Sequence, residues 1–297
     1  MSFTLRLTIA LLIALFAAAL LAPWISAALD ALGLRFPFPR IFDRVVMVAL
    51  AVVMLANARA LELVPRLAAG FANLTANVGR IVRGFAIAVA AVFAIWIAAR
   101  LISGSGAVSS KLLTHLPATL AAAILIAIIE EAFFRAILLD GMRDDFGPRA
   151  ALIGSGVIYA LAHLVRSPAR FQLHGVHPLA GFEEIASSFG QFGDPAAAVA
   201  LLLGLFLLGL VLGEAFLLTG TVYFSLGMHA GLVVGAKSWR YLAPTANSAP
   251  IWLVGRARVP LIGGAGAWII ALILLLLIKP LVGANATRIS SESLSKS

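Results

Sequence analysis

The sequence predicts an all-α protein, a polytopic transmembrane helical bundle of about eight spans. Of its 297 residues, 62% are hydrophobic and only 12% are charged, and the mean hydropathy is +1.05. A soluble domain usually carries about a quarter of its residues as Asp, Glu, Lys and Arg. The apolar residues fall in blocks of about 20, the length that a helix needs to cross a hydrocarbon layer of roughly 30 Å. A membrane β-barrel would instead alternate in runs of about 10 residues, and the sequence shows no such pattern.

The net charge of +9 raises the question of a nucleic-acid partner. The basic residues are spread over the short connections between apolar blocks, without a run or interleaved aromatic residues. This placement favours contact with lipid head groups, so we expect membrane lipid as a partner and no nucleic acid. The chain has no cysteine, which excludes disulfides and thiolate metal sites. Its richness in Ala, Leu and Arg points to a GC-rich bacterium, and hence to the bacterial inner (plasma) membrane.

The predicted spans cover residues 5–28, 41–58, 84–102, 116–140, 149–165, 195–218, 221–236 and 264–282. We interpret the first as a retained helix, because its apolar core exceeds the 7–15 residues typical of a signal peptide. Residues 59–83 are expected to form an interfacial helix, residues 166–194 a polar loop, and residues 284–297 a disordered tail. One transmembrane domain, residues 1–297, is the simplest organisation. Basic residues are distributed about equally between alternate loops, so they predict no orientation.

Besides Asp140 at its end, the fourth span contains three charges, and inside a membrane an ionisable side chain costs about 2.5–3.5 kcal/mol. Glu131 and Arg135 are four residues apart and are expected to form an intrahelical ion pair. Glu130 lies about 100° around the helix axis and is expected to face something else. Such a carboxylate suits a general base. A stop-transfer boundary, at which the charges meet head groups, explains this segment equally well.

Two histidines in other spans favour a functional interpretation. His163 lies near the end of the fifth span, with Tyr159 one turn earlier on the same face, where it is expected to orient the imidazole. His229 lies in the middle of the seventh span. A single histidine in a membrane helix is often a packing residue bonded to a backbone carbonyl, but two of them together with Glu130 indicate a site.

Glycines recur every four residues in the seventh span, at Gly227, Gly231 and Gly235. They predict a strip for close helix packing, and Gly209 and Gly213 of the sixth span offer a partner strip. His229 projects roughly 200° away from the strip. We therefore expect it to point towards a cavity.

These residues resemble three motifs of the CAAX-protease and bacteriocin-processing family. The matching residues are Glu130, Glu131 and Arg135 in the first motif, Tyr159 and His163 in the second, and His229 in the third. Val233 stands where the family usually has asparagine. The family-like catalytic core spans about residues 116–236, and the resemblance implies eight helices.

The resemblance implies an intramembrane endopeptidase without a cofactor, acting on a membrane-associated peptide or protein. Glu130 would be the general base that activates water, and His163 would position that water. Arg135 would pair with Glu131 in a structural role. His229 would stabilise the oxyanion, a role commonly worth about 3–4 kcal/mol per donor.

Three alternatives stay open at this point. Glu130, His163 and His229 also form a two-histidine, one-carboxylate set that suits catalytic zinc. Val233 cannot donate a hydrogen bond, which favours a catalytically silent scaffold or immunity protein of the same fold. A transporter with a proton relay would need matching broken helices in two halves, which the sequence does not show.

Other polar residues receive simpler interpretations. His174 and His177 lie three apart beside Gly175 and Pro178, which disfavour a helical metal site. We expect their loop, which also carries Glu183 and Glu184, to form a solvated lid. Glu214, near the end of the sixth span, is expected to reach the interface.

Overall fold

The computed structural model describes residues 2–104, 108–164, 177–189, 194–242, 250–255 and 261–283. Throughout these ranges the regular structure is helical, without a strand, which confirms the all-α prediction. The helices are α1 Phe3–Ala31, α2 Phe38–Ala56, α3 Leu63–Gly70, α4 Leu74–Ser103, α5 Lys111–Glu131, α6 Asp140–Leu164, α7 Ala180–Ser188, α8 Pro195–Thr219, α9 Tyr223–Leu242, α10 Ile251–Val254 and α11 Ala265–Gly283. A π-helical segment, Ala132–Leu139, joins α5 to α6.

Within the described residues, 5 helical stretches are long and apolar enough to cross a membrane. They are Phe3–Ala31, Leu74–Ser103, Lys111–His163, Pro195–Thr219 and Ala265–Val282. The third contains α5, the π-helical segment and α6, which the sequence divides into two spans. Helices α2 and α9 do not qualify, because charged residues such as Arg44 and Lys237 lower their apolar character. The chain is therefore a helical membrane protein, and about eight spans stays a prediction.

The chain divides into two compact units, and the single-domain organisation stays a prediction. The first comprises Met1–Val64 and Leu161–Ala198. In it α1 pairs with α2, and α7 packs on α1 around a core of Ala18, Ala19, Ala22, Phe38, Ile41, Phe42, Val45 and Ala180. A Cβ atom at Gly181 would overlap the backbone carbonyl of Ala19, so glycine permits this close approach of α7 to α1.

The second unit comprises Pro65–Ala160 and Val199–Ser297, and its closest helix pair is α4 with α9. A Cβ atom at Gly227 would overlap the Ile81 carbonyl, and one at Gly84 would overlap the Phe224 carbonyl. The glycine strip of α9 therefore packs on α4, and the prediction of α8 as its partner is wrong. Gly209 of α8 instead faces Gly156. The glycine strip can approach α4 closely because α4 also has a small residue, Gly84, at the crossing.

The single interfacial helix predicted for residues 59–83 is also wrong. Positive φ angles at Glu62 (50°) and Asn73 (55°) interrupt this segment, so that α3 is short and α4 already begins at Leu74. The side chain of Arg66 on α3 is only 7% exposed. Its Nη1 lies 2.6 Å from Asp140 Oδ2, and its Nη2 lies 2.8 Å from Asp144 Oδ2. Arg66 thus pairs inside the protein rather than with lipid head groups.

Part of the predicted polar loop is a helix. Residues 180–188 form α7, and the Glu184 side chain on it is completely buried (0% exposed), which contradicts a solvated lid for this part. His177 Nε2 lies 3.3 Å from Glu183 Oε2. His174 and the tail at residues 284–297 lie outside the described residues.

Candidate active site

The acidic pair lies at the end of α5, directly before the π-helical segment. Wide helical turns of this kind occur frequently at functional sites. Glu131 is 0% exposed, whereas the side chain of Glu130 is 24% exposed. The two neighbouring glutamates therefore have different surroundings, as the 100° rotation between them predicts.

Arg135 is buried beside Glu131 and two aromatic rings. Its Nε lies 3.5 Å from Glu131 Oε2, which is the ion pair that the four-residue spacing predicts. Its Cζ lies 4.9 Å from the ring centroid of Tyr159 and 5.9 Å from that of Phe134, within the range of cation–π attraction. One carboxylate and two rings thus compensate for the burial of this cation.

His229, on α9, lies between the two glutamates. Its Nδ1 is 2.9 Å from Glu131 Oε1, and its Nε2 is 3.6 Å from Glu130 Oε2. Because an ionised Glu131, paired with Arg135, can only accept, Nδ1 is the donor of the shorter contact. That hydrogen bond fixes the ring and directs Nε2 towards Glu130. The Nε2 distance exceeds that of a hydrogen bond, so the two groups are neighbours that are not bonded directly.

Tyr159 and Phe134 form the aromatic wall of the site. The Tyr159 ring lies 5.0 Å from that of Phe134 and 6.4 Å from that of His229, both edge-on. These contacts place the Tyr159 ring against Arg135 and His229. Its expected role in orienting His163 stays a prediction. Phe134 gives no signal in the sequence, because a phenylalanine within a membrane span is ordinary.

Ser225, one turn before His229 on α9, is completely buried. Its Oγ donates to the Val222 carbonyl at 2.9 Å, and its hydroxyl also interacts with Glu131. Val233, one turn after His229, is partly buried. The α9 face around His229 thus carries one hydroxyl and no amide.

His163 lies half-buried in the last turn of α6, within the other compact unit. Its expected role beside Glu130 stays a prediction. Among the described residues, no group of three or more His, Asp or Glu side chains is arranged to hold a metal ion. The zinc set of Glu130, His163 and His229 likewise stays a prediction.

Comparison with known proteins yields one family. No curated protein and no solved structure matches the chain. Residues 111–234 match a family described as Type II CAAX prenyl endopeptidase Rce1-like. The matched residues include all three motifs, the first on α5 and the π-helical segment, the second on α6 and the third on α9. The resemblance seen in the motifs is thereby confirmed: residues 111–234 are the Rce1-like, CAAX protease-like part of a helical membrane protein.

Proposed function

We propose that the protein is an intramembrane endopeptidase in which Glu130 activates the water that hydrolyses a peptide bond. The observation that carries this proposal is the difference between the two glutamates. Glu131 is fully buried and held by Arg135 and His229, whereas Glu130 is 24% exposed beside His229 Nε2. A general base must reach water and substrate, and of the two carboxylates Glu130 is the one that can do so.

In the proposed reaction the Glu130 carboxylate takes a proton from water, whose oxygen attacks the scissile carbonyl carbon. The same proton then passes to the leaving amine nitrogen as the C–N bond breaks, which returns Glu130 to its starting form. Because Nδ1 of His229 is occupied by Glu131, its Nε2 is the atom available to the reacting carbonyl. In the protonated ring, Nε2–H would donate to the oxyanion. His163 would position the water.

Loss or retention of proteolysis in native membranes tests the proposal. Protein termini would be compared between membranes that carry the wild type, Glu130→Gln or Glu214→Gln. Glu214→Gln is the matched control, because it makes the same change at a glutamate on α8 outside the site. We expect new termini with the wild type and the control only. Identical termini in all three, with each protein abundant and folded, would refute the endopeptidase.

The substrate is proposed to be a membrane-associated peptide or protein, in keeping with the family description, which names a CAAX prenyl endopeptidase. Purified protein in lipid vesicles would be offered a farnesylated C-terminal peptide and the same peptide without the lipid. Faster cleavage of the lipidated peptide would assign the prenyl group to recognition. Equal rates would show that a membrane-bound peptide suffices.

Val233 motivates the second candidate, a catalytically silent protein of the same fold. A hydrogen-bond donor to the oxyanion is commonly worth about 10²–10³-fold in rate. If the missing amide silences the enzyme, Val233→Asn should create activity that the wild type lacks. An active wild type eliminates this candidate.

The zinc-dependent version requires a separate measurement. Metal analysis of purified protein would reveal stoichiometric zinc that is lost in His163→Ala. That result would replace the glutamate mechanism with a metal-based one. Full activity in protein stripped of metal by a chelator would favour Glu130 acting without zinc.

A further inference from the structure

An apolar groove of about 670 Å³ runs between α1 and α2 in the first unit. One wall is a row of α1 residues spaced four apart: Ala17, Leu21, Ile25 and Leu29. The other wall is one face of α2, formed by Ile41, Val45, Val48, Ala49, Val52 and Val53. Leu21, Val48 and Val52 are each more than half exposed, so the groove is accessible from outside the helix pair.

The groove has the length of a single lipid chain in one leaflet. From Ala17 to Leu29 it extends about 18 Å, at 1.5 Å per residue. One leaflet contributes about half of a hydrocarbon layer of roughly 30 Å. The length of the groove is therefore close to the hydrocarbon thickness of one leaflet.

Two arginines, Arg40 and Arg44, line the groove at one end only. Within the described part of the chain, neither forms an ion pair with a carboxylate, and Arg44 Nη1 donates a hydrogen bond to Met47 Sδ at 3.4 Å. Asp43 lies outside the lining and interacts with Glu184 on α7. The end of the groove is therefore positively charged.

The helix start adds to this positive potential. Arg40 lies in the first turn of α2, which has no acidic residue and no side-chain cap. The N-terminus of a helix already favours anions, and a cation there is unfavourable unless an anion accompanies it. The N-terminus of α2 and the two arginines thus place positive charge at the same end of the groove.

We propose that this groove is a binding site for one anionic glycerophospholipid of the bilayer. One acyl chain lies between α1 and α2, and the phosphate lies against Arg40 and Arg44. The lining offers almost no polar atoms to the backbone of an extended peptide. It consists mainly of Leu, Ile and Val rather than the small residues that let a partner helix approach. Basic pockets between membrane helices are typical sites for anionic head groups.

The first test compares lipids on the purified wild type. Binding would be measured by native mass spectrometry and by thermal unfolding in micelles with phosphatidylglycerol or phosphatidylcholine of the same chains. We expect phosphatidylglycerol to be retained preferentially and to raise the Tm more. Equal retention of the two lipids would overturn the proposal. The same Tm rise with inorganic phosphate would also overturn it, because an anion without a chain would then suffice.

The second test uses substitutions at the charged end. Arg40→Gln with Arg44→Gln should weaken phosphatidylglycerol binding about thirtyfold, since each arginine near the head groups contributes about fivefold. Arg35→Gln is the matched control, because Arg35 precedes α2 and lies outside the groove lining. Equal losses in both proteins would indicate a diffuse charge effect and refute the site.

A third test acts on the acyl chain and does not depend on the arginines. Val48 is 63% exposed and lies one turn beyond Arg44 within the groove, so Val48→Trp should block the chain without disturbing the core. Leu55→Trp is the control, because Leu55 is 72% exposed on α2 outside the lining. Unchanged lipid retention in Val48→Trp would overturn the proposal. A change of oligomeric state in Val48→Trp alone would assign the groove to a second copy of the chain instead.

Discussion

His229 Nδ1 lies 2.9 Å from Glu131 Oε1, so a histidine of α9 is bonded to the buried member of the glutamate pair on α5. Because of this contact, the neighbouring carboxylates of Glu130 and Glu131 have different surroundings and different roles. Glu131, held also by Arg135, orients the ring, and the ring directs its other nitrogen towards Glu130. A carboxylate that fixes a histidine ring in this way is a common supporting device in active sites.

Removing the charge of Glu131 should destabilise the fold strongly. Glu131→Gln leaves the guanidinium of Arg135 buried without its counter-charge, which typically costs about 3–5 kcal/mol. Arg135→Met should have a comparable cost, because it leaves the Glu131 carboxylate buried beside His229. Thermal and chemical unfolding of the purified variants in one detergent would measure both effects.

The double variant separates an ion pair from two independent effects. Glu131→Gln combined with Arg135→Met should cost less than the sum of the single changes, because neither charge is left alone. Strictly additive costs would show that the 3.5 Å contact contributes no coupling.

Tyr159 should act chiefly through its ring. Tyr159→Phe keeps the contacts with Arg135 and Phe134 and should cost no more than about 1 kcal/mol. Tyr159→Leu removes the cation–π contact and part of the packing, and should cost about 2–4 kcal/mol. Unfolding measurements on both variants check this order. A larger loss for Tyr159→Phe would assign the main role to the hydroxyl instead.

The helical architecture was largely accessible from the sequence, because the positions and lengths of the apolar blocks locate most of the long helices. Gly147, with φ 77°, breaks the long helical stretch between the predicted fourth and fifth spans. Contacts between residues that are distant in the sequence could not be predicted from it. Arg66 looks interfacial in sequence, yet it pairs with Asp140, 74 residues away. A buried ion pair of this kind reverses the interpretation of a whole segment.

The candidate site likewise contains contacts that the sequence predicts and contacts that it does not predict. The four-residue spacing predicts the pair of Glu131 with Arg135, because helical geometry alone determines it. The bond between His229 and Glu131 joins residues 98 apart, and no local pattern contains that contact. Which helix the glycine strip of α9 meets was equally inaccessible, because several spans carry small residues.

The packing of α9 on α4 should not tolerate a methyl group at Gly227. The new Cβ of Gly227→Ala would overlap the backbone carbonyl of Ile81, which cannot move without displacing α4. We expect a loss of about 1–3 kcal/mol in unfolding free energy. Gly79→Ala on α4 is the control, because its Cβ meets nothing within 4 Å. The control should be neutral or stabilising by up to about 1 kcal/mol. Equal stability of the two variants would contradict this close helix contact.

The Glu184 carboxyl should make stability fall as pH rises. This residue lies on α7, which at 9 residues is too short to cross a membrane. Burial, and then the nearby charge of Asp43, raise the pKa of Glu184 from 4.5 to about 7. Below pH 4.5 the group is protonated in both folded and unfolded chains, and its contribution to stability is complete. Between pH 4.5 and 7 only the folded chain keeps the proton, so the contribution declines, and it is lost above pH 7.

Substitution of Glu184 by glutamine should remove this decline. The wild type should lose up to about 3 kcal/mol relative to Glu184→Gln between pH 4.5 and 7.5, as measured by unfolding in one detergent. Glu183→Gln, at the half-exposed neighbouring position, should retain the wild-type slope. A wild type that gains stability over this range relative to Glu184→Gln would show that folding lowers the pKa of Glu184 instead of raising it. The side chain of Glu184 would then be ionised within the fold, and α7 would be held to α1 and α2 by a charge rather than by a neutral acid.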